Sequence, residues 1–137
     1  MSIDIRGICL LLQVFDMPIS LQFYRDQLGF EIVGTNRPDT PDADDRFDWV
    51  WLRLNGTELM LNTAYEAENR PQASDPVRNA AHKDTTLYFG CPDVDLAWSQ
   101  LQSVGLDVKK PVIQHYGMKQ LYVSDPDGYG LCFQWRV

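Results

Sequence analysis

The sequence predicts an α+β fold built from two β-α-β-β-β modules, whose curved antiparallel sheets surround a central crevice with the helices outside. Three observations carry this reading. Strand-like and helix-like patterns recur in the same order in both halves of the chain. Asn55-Gly56 marks a tight hairpin between two strand patterns. A spacing of 77 positions separates Cys9 from Thr86 and Asp16 from Asp93, each at a matching place before a helix.

Each element has a local cause. Ile8 to Val14 is a compact apolar run broken by Gln13, and Asp16-Met17-Pro18 ends it. Ile19 to Leu28 follows with helical recurrence, Ile19 and Phe23 on one flank and Leu21, Tyr24 and Leu28 in a second row. Gly29 stops that helix and Phe30 to Val33 reads as a strand. Pro38, Pro41 and five aspartates between Asp39 and Asp48 predict a surface loop. Trp49 to Leu54 and Thr57 to Leu61 are the strands flanking the hairpin. The region 62–84 carries weak periodicity and reads as a connector, with a short helix over Val77 to His82. The pattern then returns. Thr86 to Cys91 is a strand, Asp93 caps a helix with the stripe Val94, Ala97, Trp98, Leu101 and Val104, and Gly105 stops it. Val112 lies in an edge fragment, and Lys119 to Val123 and Gly130 to Trp135 are the last strands. The expected organisation is one domain over 1–137, with a first module at about 6–61, the connector at 62–84 and a second module at 85–136.

Composition narrows the function classes. The chain has 137 residues, 45% apolar and 23% charged, an ordinary globular balance. Its formal charge of −7 argues against nucleic acid or an anionic membrane as partner. No stretch approaches the roughly 20 apolar residues of a spanning helix. No secretory signal is read at the N-terminus, and three cysteines without a CxxC motif suit a reducing cytoplasm.

Two local signatures now bear on family. The first is Val14-Phe15-Asp16-Met17, then Ser20 and Phe23-Tyr24-Arg25-Asp26-Gln27-Leu28-Gly29-Phe30. The second is Tyr116-Gly117-Met118 with Asp125-Pro126-Asp127-Gly128-Tyr129 before the final strand. In this order and two-module context, the chain resembles the glyoxalase, bleomycin-resistance and extradiol-dioxygenase superfamily, also called vicinal oxygen chelate proteins, across roughly residues 6 to 136. Metal-binding members place one ligand on the first and one on the last strand of each module, often histidines and glutamates. Carried over, the resemblance points to Cys9, Glu58, Thr86 and Cys132. Only Glu58 retains the expected chemistry, and neutral Thr86 replaces a histidine poorly.

Cys9, Glu58 and Cys132 are an alternative zinc set if they converge, although cysteines in apolar strands also serve as small core residues. Glu58 reads either as a functional carboxylate or as one partner of a structural ion pair. His82 lies in the connector, and His115 stands near the expected pocket rim. Trp49, Trp51, Tyr88, Tyr116, Met118, Tyr122 and Trp135 sit on strands or loops the fold brings toward its sheets, and they suit a planar or bulky organic ligand. Asp39, Asp42, Asp44 and Asp45 add attraction for a cation or simply solubility.

The reading that follows is metal-independent binding or sequestration of a small organic molecule, possible cationic character included, resembling the bleomycin-resistance branch. It uses Trp49, Trp51, Glu58, Tyr88, His115, Tyr116, Met118 and Tyr122, no cofactor, and a cytoplasmic homodimer. The alternative is a divergent enzyme of the superfamily using Glu58, His115 or an atypical Cys/Glu site with zinc or another divalent metal. A third reading is a structural or protein-interaction domain.

Overall fold

Alternation along the first strand fixes which side of the first sheet is dry. In the computed structural model, which describes residues 1–137, β1 spans Leu10–Val14 and buries Leu12 and Val14 while Leu11 and Gln13 face solvent. The chain forms two compact units, Met1–Arg70 and Pro71–Val137.

In the first unit, Asp16 caps α1 (Met17–Leu21), its carboxylate accepting from the Ile19 N–H at 3.2 Å, and Pro18 occupies the first turn. The helix then widens into a π-helical stretch over Gln22–Gln27, where the Leu28 N–H reaches the Phe23 carbonyl five residues back at 3.0 Å. The buried face comprises Met17, Ser20, Leu21, Phe23 and Tyr24. Ile19, expected beside Phe23, is instead half exposed because the helix presents the Met17–Leu21–Tyr24 row to the sheet. The strands β2 (Glu31–Thr35), β3 (Trp49–Leu54) and β4 (Thr57–Thr63) complete a sheet in the order β1-β4-β3-β2. Asn55 (φ 49°) and Gly56 (φ 82°) both take the left-handed conformation of a type I′ turn, which matches strand twist and sets Arg53 opposite Glu58. Val50, Leu52, Leu59 and Leu61 continue the buried side of the sheet.

The second unit begins with α2 (Pro76–His82), capped by Asp75, whose carboxylate accepts from the Val77 N–H at 2.9 Å. It continues with β5 (Thr86–Gly90), α3 (Val94–Ser103), β6 (Val112–Ile113), β7 (Met118–Ser124) and β8 (Gly130–Arg136), in the sheet order β5-β8-β7-β6. Asp93 caps α3 as its position predicts, accepting from the Leu96 N–H at 3.0 Å. Val94 and Leu101 of α3 are buried, as are Leu121 and Leu131 of the sheet. Trp98 donates its indole N–H to the Val108 carbonyl at 3.0 Å, fixing the return from helix to sheet.

The antiparallel sheets expected from the sequence each contain one parallel pair. β1 pairs with β4 in parallel, and β5 pairs with β8 in parallel; the remaining pairs are antiparallel. Each module's first strand returns beside its last one after a helix and two strands, a connection that permits parallel alignment where a hairpin does not.

α2 docks on the Asp125–Gly128 turn. Asp127 is 2% exposed; its carboxylate takes the Arg78 guanidinium at 2.9 Å and its carbonyl accepts from His82 Nδ1 at 2.7 Å. The His82 ring stacks on Tyr129 with centroids 3.9 Å apart. Inside the turn, the Asp125 carboxylate accepts the backbone N–H groups of Asp127 and Tyr129, each at 2.9 Å. No helix of the structure is long and apolar enough to cross a membrane.

Candidate functional site

Register places the candidate residues in rows. On the second sheet, Tyr88 of β5, Cys132 of β8 and Tyr122 of β7 are direct neighbours across three strands, so their side chains rise from one face. The two phenols meet above the cysteine, hydroxyl to hydroxyl at 3.2 Å with edge-to-face rings, and Cys132 is buried beneath them. The next row is Gly90, Gln134 and Gln120, followed by Met118 opposite Arg136. Gly90 contributes no side chain, and the space it leaves belongs to a cavity of about 450 Å³ lined by Gly90, Met118, Gln134, Trp135 and Arg136.

Gln120 organises this face. It is 4% exposed, and its Oε1 accepts from Tyr116 at 3.0 Å and from Tyr122 at 3.2 Å. Its Nε2 donates to Gln134 Oε1 at 2.8 Å, which leaves the Gln134 amide nitrogen directed to no protein acceptor. Tyr88, Tyr116 and Tyr122 are thus held in place while remaining 56%, 57% and 48% exposed. The hydrogen bond with Tyr88, then desolvation and contact with Cys132, hold Tyr122 protonated well above the ordinary phenol range. Burial pushes the Cys132 thiol up as well.

The structure therefore brings together Tyr88, Tyr116, Met118 and Tyr122 of the sequence-predicted set. His115 is exposed and stands edge-on to Tyr116 at 5.1 Å, outside the hydrogen-bonded network. Trp135 lies on the opposite side of β8 from Gln134 by strand alternation, yet its ring reaches round the edge left by Gly90. Gln120, Gln134 and Arg136 were missed by sequence reasoning. The alternation Met118-Gln120-Tyr122 is the signal that marks Gln120, since a polar residue between two candidate positions on one strand shares their face.

Trp49, Trp51, Glu58 and Met60 share the open face of the first sheet by register. There Glu58 is one half of a cross-strand pair: Arg53 donates to its Oε1 at 3.1 and 2.8 Å, and the Arg53 guanidinium lies 5.4 Å from the Trp51 ring centroid. The carboxylate is thus committed to a cation of its own chain. Cys9 stands exposed just ahead of β1, since the strand begins at Leu10 rather than Ile8. Partial desolvation and then the Glu58 charge raise its thiol.

These facts test the divalent ion that the family resemblance implies. A resident ion needs deprotonated ligands. Thr86 is neutral, and Glu58 already carries Arg53. No three His, Cys, Asp or Glu side chains gather as a metal-binding group. The donor set does not fit.

Comparison with known proteins follows the same lines. The family model of the Glyoxalase/Bleomycin resistance protein/Dioxygenase superfamily matches residues 8–133. A search of curated protein sequences gives no match. Among solved structures, a virulence protein of Salmonella typhimurium is 25% identical, with complete coverage of both chains and a TM-score of 0.66. A glyoxalase/bleomycin resistance protein/dioxygenase from Nocardioides is 16% identical over 99% of this chain and 87% of its own, with a TM-score of 0.73. A bleomycin-binding protein complexed with bleomycin is 21% identical over 97% of this chain and 100% of its own, with a TM-score of 0.64. With nearly its whole length matched by the family model and its two-sheet architecture shared with these structures, the chain belongs to the glyoxalase/bleomycin-resistance protein/dioxygenase superfamily.

Proposed function

We propose that the protein binds and sequesters a small planar organic molecule on the open face of its second sheet, without a metal and without bond-making. One observation carries this reading: Tyr88, Tyr116 and Tyr122 are ordered by hydrogen bonds to one another and to Gln120, yet left about half exposed beside a cavity of about 450 Å³. Pre-ordered rings lose little entropy on binding. Covering about 200 Å² of their apolar surface contributes on the order of 5 kcal/mol before the cost of association. The Gln134 amide and the Arg136 guanidinium add donors, so this face suits a ligand carrying a carbonyl or an anionic oxygen. Cationic character, expected from Glu58, is not favoured here because Arg53 neutralises that carboxylate. The bleomycin-binding protein that shares the fold lends support, since it holds an organic molecule.

Acid–base catalysis has less to work with. Glu58 is ion-paired, Tyr122 and Cys132 are held protonated, and His115 lies outside the network. We further propose a homodimer in the cytoplasm. Ile8, Leu10 and Leu11, on and beside the edge strand β1, are exposed, as are Val112 and Ile113 of edge strand β6, and a second copy would cover such edges. Cys9, Cys91 and Cys132 are all free thiols.

Native mass spectrometry of the protein with a mixed library of planar aromatic amides and carboxylates tests the reading. The expected spectrum shows dimers carrying one or more organic masses and no metal, with adducts lost in the Tyr88→Ala/Tyr122→Ala variant. Absence of any adduct, or an adduct unchanged in that variant, overturns it.

A further inference from the structure

A second cavity lies wholly within the first unit, at the C-terminal end of β1. It has a volume of about 180 Å³, close to the roughly 150 Å³ cavities that hold one benzene ring. Its apolar wall includes Phe15, Phe47 and Tyr65, with Phe15 and Tyr65 edge-to-face at 6.2 Å. Asp16, Asp45 and Asp48 supply its charge. The single basic residue in its lining is Arg70, whose guanidinium sits 5.3 Å from the Phe15 ring centroid and 3.4 Å from Asp16 Oδ2. A planar cation of the chain thus already occupies the combination of aromatic face and carboxylate that recognises such groups.

The three carboxylates outnumber that one cation. Asp48 Oδ2 accepts only the neutral Asn36 amide at 3.1 Å, and Asp45 takes part in no ion pair. Asp16 spends Oδ1 on capping α1 and keeps Oδ2 for the cation. Arg70 is exposed and is the last residue of its unit, so its side chain leaves the cavity without disturbing a core.

We propose that this cavity is a recognition site for a small organic cation of the amidinium or guanidinium class, in which Arg70 is the resident competitor. An incoming cation takes the Phe15 face and the Asp16 carboxylate, and Arg70 swings out to solvent. The site is independent of the tyrosine–glutamine face and stands or falls separately from it.

Calorimetric and NMR titration with benzamidinium tests the assignment, with neutral benzamide as the isosteric control. Benzamidinium is expected to bind at least about tenfold tighter than benzamide, moving the backbone signals of Phe15, Thr63 and Tyr65. Removing the competitor with Arg70→Ala is expected to tighten binding about fivefold. Asp16→Asn retains an N-cap acceptor and removes the charge, so it is expected to preserve the thermal midpoint and weaken binding about fivefold to tenfold. Equal affinity for benzamide and benzamidinium, no gain from Arg70→Ala, or shifts confined to residues outside the cavity overturns the proposal.

Discussion

Replacing Gly128 by alanine tests how the connector helix is held. Gly128 has φ +90°, and an added Cβ would lie 2.4 Å from the Asn79 carbonyl oxygen in α2. Two costs follow. The left-handed conformation costs an alanine about 1–2 kcal/mol. The contact meets backbone rather than a flexible side chain, so α2 must shift and strain the Arg78–Asp127 pair and the His82 stack on Tyr129. Together these predict a loss of about 3 kcal/mol or more. Gly105 supplies the control, since it has the same φ of +90° with nothing within 4 Å of its Cβ position. Gly105→Ala therefore isolates the conformational cost at about 1–2 kcal/mol. With a urea slope of about 1.5 kcal/mol per molar, Gly128→Ala lowers the midpoint by about 2 M and Gly105→Ala by about 1 M. Urea unfolding followed by circular dichroism gives the midpoints, and hydrogen exchange over Pro76–Lys83 shows whether α2 loosens. Equal midpoints for the two variants would refute the docking argument.

Alkaline pH should weaken the second unit. Cys132 and Tyr122 are neutral when protonated, and folding raises both, so their contribution is complete below the ordinary values of about 8.5 and 10 and is lost as pH rises through the folded ones. Urea midpoints are expected to stay level from pH 6 to 8 and fall between pH 9 and 11; a rise over that interval contradicts the assignment. Arg25 clamps Asp44 with two bonds of 3.0 and 2.8 Å and Asp26 with two more of 2.8 and 3.2 Å. Arg25→Met is therefore expected to cost about 1 kcal/mol, discounted for the partial exposure of both partners, and to speed hydrogen exchange around Asp44–Phe47.

Local features were the most legible in the sequence. Asn55-Gly56 set the hairpin, and that turn by itself places Arg53 opposite Glu58, so the ion pair was readable from register alone. Asp93 and its helix were readable from capping chemistry. The parallel pairing of first and last strands was not, because alternation says which face a residue takes and nothing about the direction of a distant partner. The π-helical widening over Gln22–Gln27 also left no mark, since its apolar residues satisfy an ordinary helical spacing equally well. At the candidate site, aromatic residues drew attention while Gln120 did not. Its importance arises from three side chains, Tyr116, Tyr122 and Gln134, meeting around one buried amide, which the register of β7 and β8 brings about.

The site assignment is tested most directly by an NMR titration with the tightest ligand from the aromatic library. The side-chain amide signals of Gln120 and Gln134 and the backbone signals of Met118 to Tyr122 are expected to shift together and saturate at one ligand per chain. Saturation with those signals unmoved, and shifts located on another surface, would contradict binding at the tyrosine–glutamine face.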